Sequence, residues 1–225
     1  MVVSTRQYDD LEEEQEDDLV VGREVEPTDW CRLFDDVLPD REQKAVYEFV
    51  ARDGWKWGWK SSVHRDLFSF WHKHYAGALR TDHSDADSQY NCEAELQTNA
   101  PLLHSFWVYL RQNVLKDHIL VRCYANAYPY GTDGTTHTDS VDPSSFTSIY
   151  YLNLDWKPDW GGETVFFNRT QTDGIAAVYP KPNRLFVFSG TVPHAARGVS
   201  RICPALRTTL MFKSVLCKPL KLNGR

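Results

Sequence analysis

The chain has 225 residues, 42% hydrophobic and 13% aromatic, enough for one domain with a sizeable core and unlike a disordered composition. Its formal charge of −6 is uneven: residues 9–18 (DDLEEEQEDD) carry eight acids, and the rest sits near +2, so there is no basic footprint for nucleic acid. No run reaches the roughly 18 apolar residues of a membrane span, and the start, MVVSTRQY, lacks the basic head and apolar core of a secretory signal.

In chain order, residues 1–19 read as a solvated, disordered acidic tail, with an acidic docking segment as the alternative. Residues 20–225 read as a single domain. Asp40-Arg-Glu-Gln43 has the form of a capping box, and Ala45, Val46, Phe49 and Val50 follow it, so a helix is expected over about 40–53. Residues 55–75 are aromatic and basic without a clean period, and 81–98 read as loop. Asn99 and Pro101 open a second helix to about 115, with Leu103, Phe106, Trp107, Leu110 and Val114 on one stripe.

After that the character changes. HILVRCYANAY, FTSIYYLNL, ETVFFN, GIAAVYP, NRLFVFSG and RTTLMFKSV are short β-rich runs, separated by segments rich in Pro, Gly, Asn and Asp. Close-set strands without intervening helices predict a mainly β fold with flanking helices. The expected core is a double-stranded β-helix (jelly roll) of about eight strands over about 118–217, with helical support over about 20–117 packed on one sheet. The five cysteines are scattered and form no CxxC pair, which fits free thiols in a reducing, cytoplasmic compartment and argues against a zinc-thiolate site.

Three features of the β-rich half carry chemistry. In His137-Thr-Asp139 an imidazole and a carboxylate two residues apart would face the same side of a strand. His194, in SGTVPHAARG, is the second imidazole. Two histidines and a carboxylate make the facial triad of non-haem iron(II), leaving positions open for cosubstrate and oxygen. A lone His-x-Asp pair is more often a turn histidine bonded to a nearby acid. The third feature shifts that balance: Arg207 opens the last apolar strand, and 2-oxoglutarate needs a buried cation for its far carboxylate, a task suited to the planar arginine fork. Thr209, two residues on, would face the same way. Arg197 and Arg201 are alternative anchors, but neither precedes a strand that would aim it inward.

The span from His137 to Lys213 resembles the catalytic core of 2-oxoglutarate oxygenases of the prolyl 4-hydroxylase type. SIYYLNLDW is similar to a strand of the oxygen-sensing prolyl hydroxylases, WGGETVFF to the Gly-Gly-Glu-Thr segment of prolyl 4-hydroxylases, and RLFVFSGTVPHAARGV to the strand and turn that deliver the distal histidine. The interval from His194 to Arg207 is longer than usual, and RICPA reads as a small insertion. The resemblance implies that His137, Asp139 and His194 bind Fe(II), that Arg207 and Tyr151 bind the far carboxylate of 2-oxoglutarate, and that Tyr124 lines the cosubstrate pocket. It implies a dioxygenase that uses O2, with ascorbate in support. An aspartate at position 139 implies hydroxylation, or another oxidation such as desaturation or ring closure, in place of halogenation.

The implied substrate is a prolyl residue in a peptide or protein. The same chemistry on a free amino acid or other small metabolite is the alternative, and a non-enzymatic jelly-roll binding module is the alternative of another class. A metal jelly roll of the cupin kind would need no anchoring arginine. Trp57, Lys60, Trp71, His72 and His74 are candidate walls for an acidic or aromatic substrate, against the plainer reading that such clusters pack helices onto the sheet. No nucleic-acid or membrane partner is expected, and the oligomeric state is left open.

Overall fold

The computed structural model describes residues 23–24, 30–78 and 90–217, so the acidic run at 9–18 lies outside the described residues. The strands in chain order are β1 (Arg23–Glu24), β2 (Cys31–Asp35), β3 (Lys56–Trp59), β4 (Phe70–Gly77), β5 (His118–Tyr128), β6 (Ser145–Tyr151), β7 (Thr164–Phe167), β8 (Gly174–Val178), β9 (Leu185–Ser189), β10 (His194–Ala196) and β11 (Arg207–Leu216). They form a large sheet in the order β1-β2-β9-β6-β11-β5-β4-β3 and a small one in the order β10-β7-β8. Neighbouring strands pair antiparallel, the arrangement of a jelly roll.

The period-two alternation of side chains gives the large sheet two different faces. On one face Leu120, Cys123 and Ala125 of β5, Tyr150 of β6, and Leu210 and Phe212 of β11 join the apolar side of the helices in one core. On the other, Tyr124, Ile149, Tyr151 and Met211 pack with Phe166 and Phe188 in a second core. The site lies on this second face.

The helices are α1 (Asp40–Ala51), α2 (Glu93–Asn99) and α3 (Pro101–Asn113). The stripe expected on α3 is buried throughout: Leu103, Phe106, Trp107 and Leu110, with Val114 just beyond the helix end. Pro101 stands in the first turn of α3, where its missing N–H costs nothing. Among the described residues, no helix is long and apolar enough to cross a membrane.

Three expectations need correction. The capping box at Asp40 does not form: Pro39 takes the N-cap position, its carbonyl accepts the Gln43 N–H at 2.9 Å, and no side chain caps the helix. Asp40 and Glu42 act instead as first-turn charges on the helix dipole. The stretch 81–98 is not all loop, because α2 begins at Glu93; with a single fully buried position, Leu96, it shows no readable period. The first half is also not purely helical, since β1 to β4 extend the large sheet on both edges. Register breaks near Gly58 and between His74 and Ala76 hide the alternation of β3 and β4.

The turn before β9 is tied to β2. The Arg184 guanidinium grips Asp35 at 2.7 and 3.0 Å, and Lys181 adds a contact at 3.0 Å. Burial alone would raise the Asp35 carboxyl, but Arg184 and then Lys181 outweigh it and hold it below the usual range. A depressed folded value means that the stabilisation is present at neutral pH and lost as acid protonates Asp35 below that range. Asp35→Asn should therefore cost about 2 kcal/mol at pH 7, the worth of a hydrogen-bonded charge, mostly from the arginine contacts because the lysine is more solvent-screened. Urea unfolding stepped into acid should show the gap to the unsubstituted protein closing.

Candidate metal centre and adjoining pocket

His137 lies outside the named strands yet is held against β10 by a reciprocal backbone pair. Its N–H donates to the His194 carbonyl at 3.0 Å, and the His194 N–H donates back at 2.9 Å. The two rings stand 4.6 Å apart between centroids. Each Nδ1 is hydrogen-bonded to a carbonyl two residues upstream, His137 to Thr135 at 2.8 Å and His194 to Val192 at 2.9 Å. A carbonyl only accepts, so each Nδ1 carries the proton and each Nε2 presents a lone pair.

Those lone pairs converge on Asp139. Its Oδ1 is 3.7 Å from His137 Nε2, and its Oδ2 is 3.5 Å from His194 Nε2. One ligand atom from each of the three residues lies within 4.8 Å of the others. Burial pushes the His194 imidazole down to about 4, which keeps it neutral and able to ligate at pH 7. Burial works the other way on Asp139, but Lys213, then His194 and His137, hold its carboxyl well below the usual range. Two imidazoles and one carboxylate on one side of a cavity are the donor set of a facial iron triad, so these residues fit Fe(II).

Two residues that the sequence reading passed over hold Asp139. Thr147 Oγ1 donates to Asp139 Oδ2 at 2.6 Å, and Lys213 Nζ donates to Thr147 Oγ1 at 2.8 Å while also pairing with Asp139 Oδ2. Lys213 and Thr147 are opposed on β11 and β6. The signal was available: in RTTLMFK, Arg207, Thr209, Met211 and Lys213 alternate onto one face.

The cavity beside the triad is narrow. Arg207, Thr209, Tyr124, Tyr128 and Asn126 line it together with His137, Asp139 and His194. Arg207 is only 2% exposed. Its Nε donates to the Gly162 carbonyl at 2.5 Å and its Nη2 to Thr164 Oγ1 at 2.9 Å, and it lies over the rings of Tyr128 and Tyr151. Among the described residues no carboxylate pairs with it. Gly162 is required here: its φ is +81°, and a Cβ would meet Arg207 Cδ at 3.0 Å. Tyr151 stands just behind the wall, its hydroxyl 2.8 Å from Thr164 Oγ1. Thr164, from the Gly-Gly-Glu-Thr string, thus joins Arg207 to Tyr151, a role that string did not reveal.

Arg197 and Arg201, the alternative anchors, are exposed. None of the five proposed wall residues lines this cavity. Trp71 faces the helix side, where it borders a separate apolar cavity with Val50 and Trp55, and Trp57 packs edge-on against it. His72 stacks on Trp59 at 3.9 Å, His74 bonds to the Gly77 carbonyl, and Lys60 bonds to the Asp66 carbonyl. His72 and His74 stand beside Asn126 and Tyr124 of β5, one strand away from the cavity, and Trp57 is half exposed.

Residues 122–212 match the family model of the 2OG-Fe(II) oxygenase superfamily. No curated protein matches the chain by sequence. Among solved structures, the chain is similar to a prolyl-4-hydroxylase from Pseudomonas putida, at 19% identity and a TM-score of 0.54, covering 84% of this chain and 93% of that one. It is similar to a prolyl hydroxylase from Trichoplax adhaerens, solved with a peptide fragment of the oxygen degradation domain of hypoxia inducible factor, at 17% identity and a TM-score of 0.52, covering 84% of each chain. A 2OG-Fe(II) oxygenase family oxidoreductase from Burkholderia pseudomallei gives 16% identity and a TM-score of 0.57, covering 84% of this chain and 86% of that one. The matched span contains the triad, Lys213 lies one residue past its end, and the cavity that adjoins the triad holds a buried arginine, so the chain carries a 2OG-Fe(II) oxygenase domain and is a dioxygenase that uses Fe(II), 2-oxoglutarate and O2, built on the fold of the prolyl 4-hydroxylases.

Proposed function

We propose that residues 20–225 act as one hydroxylase domain in which His137, Asp139 and His194 hold Fe(II) and Arg207 anchors the far carboxylate of 2-oxoglutarate. The observation that carries this reading is the buried Arg207, which has no acidic partner among the described residues. A desolvated guanidinium is costly unless an anion meets it, and a dicarboxylate reaching from the metal supplies one. Thr209 and Tyr151 add hydroxyls near that carboxylate, and Tyr124 closes the wall between it and the triad.

When bound, the metal and 2-oxoglutarate supply the oxidising chemistry: O2 is consumed, 2-oxoglutarate becomes succinate and carbon dioxide, and a C–H bond of the substrate gains a hydroxyl. The chain's own residues orient and shield. The two carbonyl-bound imidazoles present two ligand nitrogens beside the Asp139 carboxylate, Thr147 and Lys213 hold that carboxylate, and the aromatic walls exclude water.

The substrate reading is a prolyl residue in a peptide or protein. It is supported by fold neighbours that are prolyl hydroxylases, one of them solved with a peptide, and by the order His-x-Asp, IYYLN, GGET, His, Arg. The test is succinate formation followed by NMR, using anaerobically purified protein given Fe(II), ascorbate, oxygen and 2-oxoglutarate, with and without proline-containing peptides. Peptide-stimulated succinate together with a peptide mass gain of one oxygen is the expected result. Stimulation by free amino acids alone would move the substrate to small metabolites, and neither turnover nor iron-dependent 2-oxoglutarate binding would favour a binding module.

A further inference from the structure

The loop that bears His137 has little regular structure of its own. His137 belongs only to an isolated bridge, and the peptide that orients its ring is the carbonyl of Thr135. The residue that bears that carbonyl is anchored from the other half of the chain. Asp66, in the segment between β3 and β4, is 4% exposed, and its Oδ1 accepts the Thr135 N–H at 3.0 Å together with the Thr135 hydroxyl. Its Oδ2 accepts the Ser62 N–H at 2.9 Å, and its own carbonyl accepts Lys60 Nζ at 2.9 Å. Asp66 lies well outside residues 122–212, the span shared with the oxygenase family.

Thr135 is therefore held at three atoms. Its N–H and hydroxyl go to Asp66, and its carbonyl takes the proton on His137 Nδ1. An imidazole whose Nδ1 lacks an acceptor is free to place its proton on Nε2, and an Nε2–H cannot ligate a metal. Rotation about the Thr135 Cα–C bond would also turn its carbonyl away from the ring. On one side of that bond the Asp66 carboxylate pins the Thr135 N–H and hydroxyl, and on the other the His137 N–H is held by the His194 carbonyl at 3.0 Å, so the carbonyl between them keeps its direction.

We infer that Asp66 is a positioning residue of the metal centre: by clamping Thr135 it holds His137 in the Nδ1–H form, with its Nε2 lone pair turned toward Asp139. This rests on His137 being an iron ligand, and the experiment separates the two claims. In metal-free protein, imidazole nitrogen–proton correlation spectra report the His137 tautomer. Equilibrium Fe(II) titration under anaerobic conditions with 2-oxoglutarate reports affinity, and far-UV circular dichroism reports folding. The variants are Asp66→Ala, Asp66→Asn and Thr135→Val.

The unsubstituted protein should show His137 as Nδ1–H. Asp66→Ala should show mixed tautomers and bind Fe(II) about 10- to 100-fold more weakly, the usual loss when a partner behind a ligand is removed. Asp66→Asn, which keeps one accepting oxygen but turns an amide toward the Ser62 N–H, should fall between. Should Asp66→Ala fail to fold, the Asn and Val variants decide. Folded variants with the original tautomer and an Fe(II) affinity within about twofold would overturn the role and leave Asp66 a plain loop fastener. Failure of the unsubstituted protein to bind Fe(II) would overturn the metal-centre reading, and the positioning role with it.

Discussion

Arg207→Ala should raise the 2-oxoglutarate concentration needed for half-maximal turnover by about a hundredfold or more, in line with the 2–5 kcal/mol typical of truncating a buried charge partner. Fe(II) affinity in the absence of cosubstrate should change little, because no triad residue contacts the guanidinium. Among the described residues Arg207 has no carboxylate partner, so Arg207→Met, which preserves the stem, should change the stability of cosubstrate-free protein little. The unsubstituted protein should gain about 2.7 kcal/mol at a 2-oxoglutarate concentration a hundred times its dissociation constant, and the variants should not. Thermal melts with and without 2-oxoglutarate read both effects. A large loss of stability without cosubstrate, with unchanged 2-oxoglutarate protection, would make Arg207 a structural residue.

The second large effect concerns the other buried cation on that face. Lys213 is paired inside the protein, to Asp139 directly and through Thr147. Asp139→Ala should abolish turnover by removing a ligand, and it should also cost metal-free protein about 3–5 kcal/mol, because Lys213 is left buried and unmatched. Lys213→Met should cost a similar amount for the mirror reason, and it should also disturb Fe(II) binding through the freed carboxylate. The double variant Asp139→Ala/Lys213→Met should recover most of the stability and none of the activity. A double-mutant cycle by urea unfolding measures the coupling. Additive losses would mean that the two groups do not depend on each other.

Part of this site was legible because it is written at period two. Arg207 and Thr209 are separated by an interval that strand geometry converts directly into a shared face, whereas His137 and Asp139 lie outside the named strands and are brought together by a loop paired to His194. Six of the seven site residues named from sequence line one cavity, and Tyr151 stands directly behind it. What stayed hidden was joined by tertiary contact alone. Asp66 meets Thr135 across 69 residues, with no local pattern in either segment. The capping box at Asp40 misled because Pro39 offered its carbonyl one residue earlier. The aromatic run at 55–75 suggested a substrate wall, but alternation sends Trp71 to the helix side and leaves His72 stacked beneath Trp59. Residue type alone says that such a cluster is large and apolar, and it does not say which face the cluster takes.

Strand β11 works as a ruler read on both edges. Its odd positions, from Arg207 through Lys213, set the spacing between the buried guanidinium and the Asp139 carboxylate, while Leu210 and Phe212 key the same strand into the helical core. Shifting it by one residue would swap the two sets, placing leucine and phenylalanine at the metal and burying two cations among the helices. Just ahead of it, Asn153 closes the strand start by bonding the Leu206 carbonyl and the Thr208 N–H, while Val199 and Cys203 are buried with Trp156 and leave only Arg201 and Ile202 exposed at the turn between them. Length change should therefore be tolerated at Arg201–Ile202 and forbidden from 207 to 213, which makes that turn the place to graft new specificity and the strand the place to leave alone.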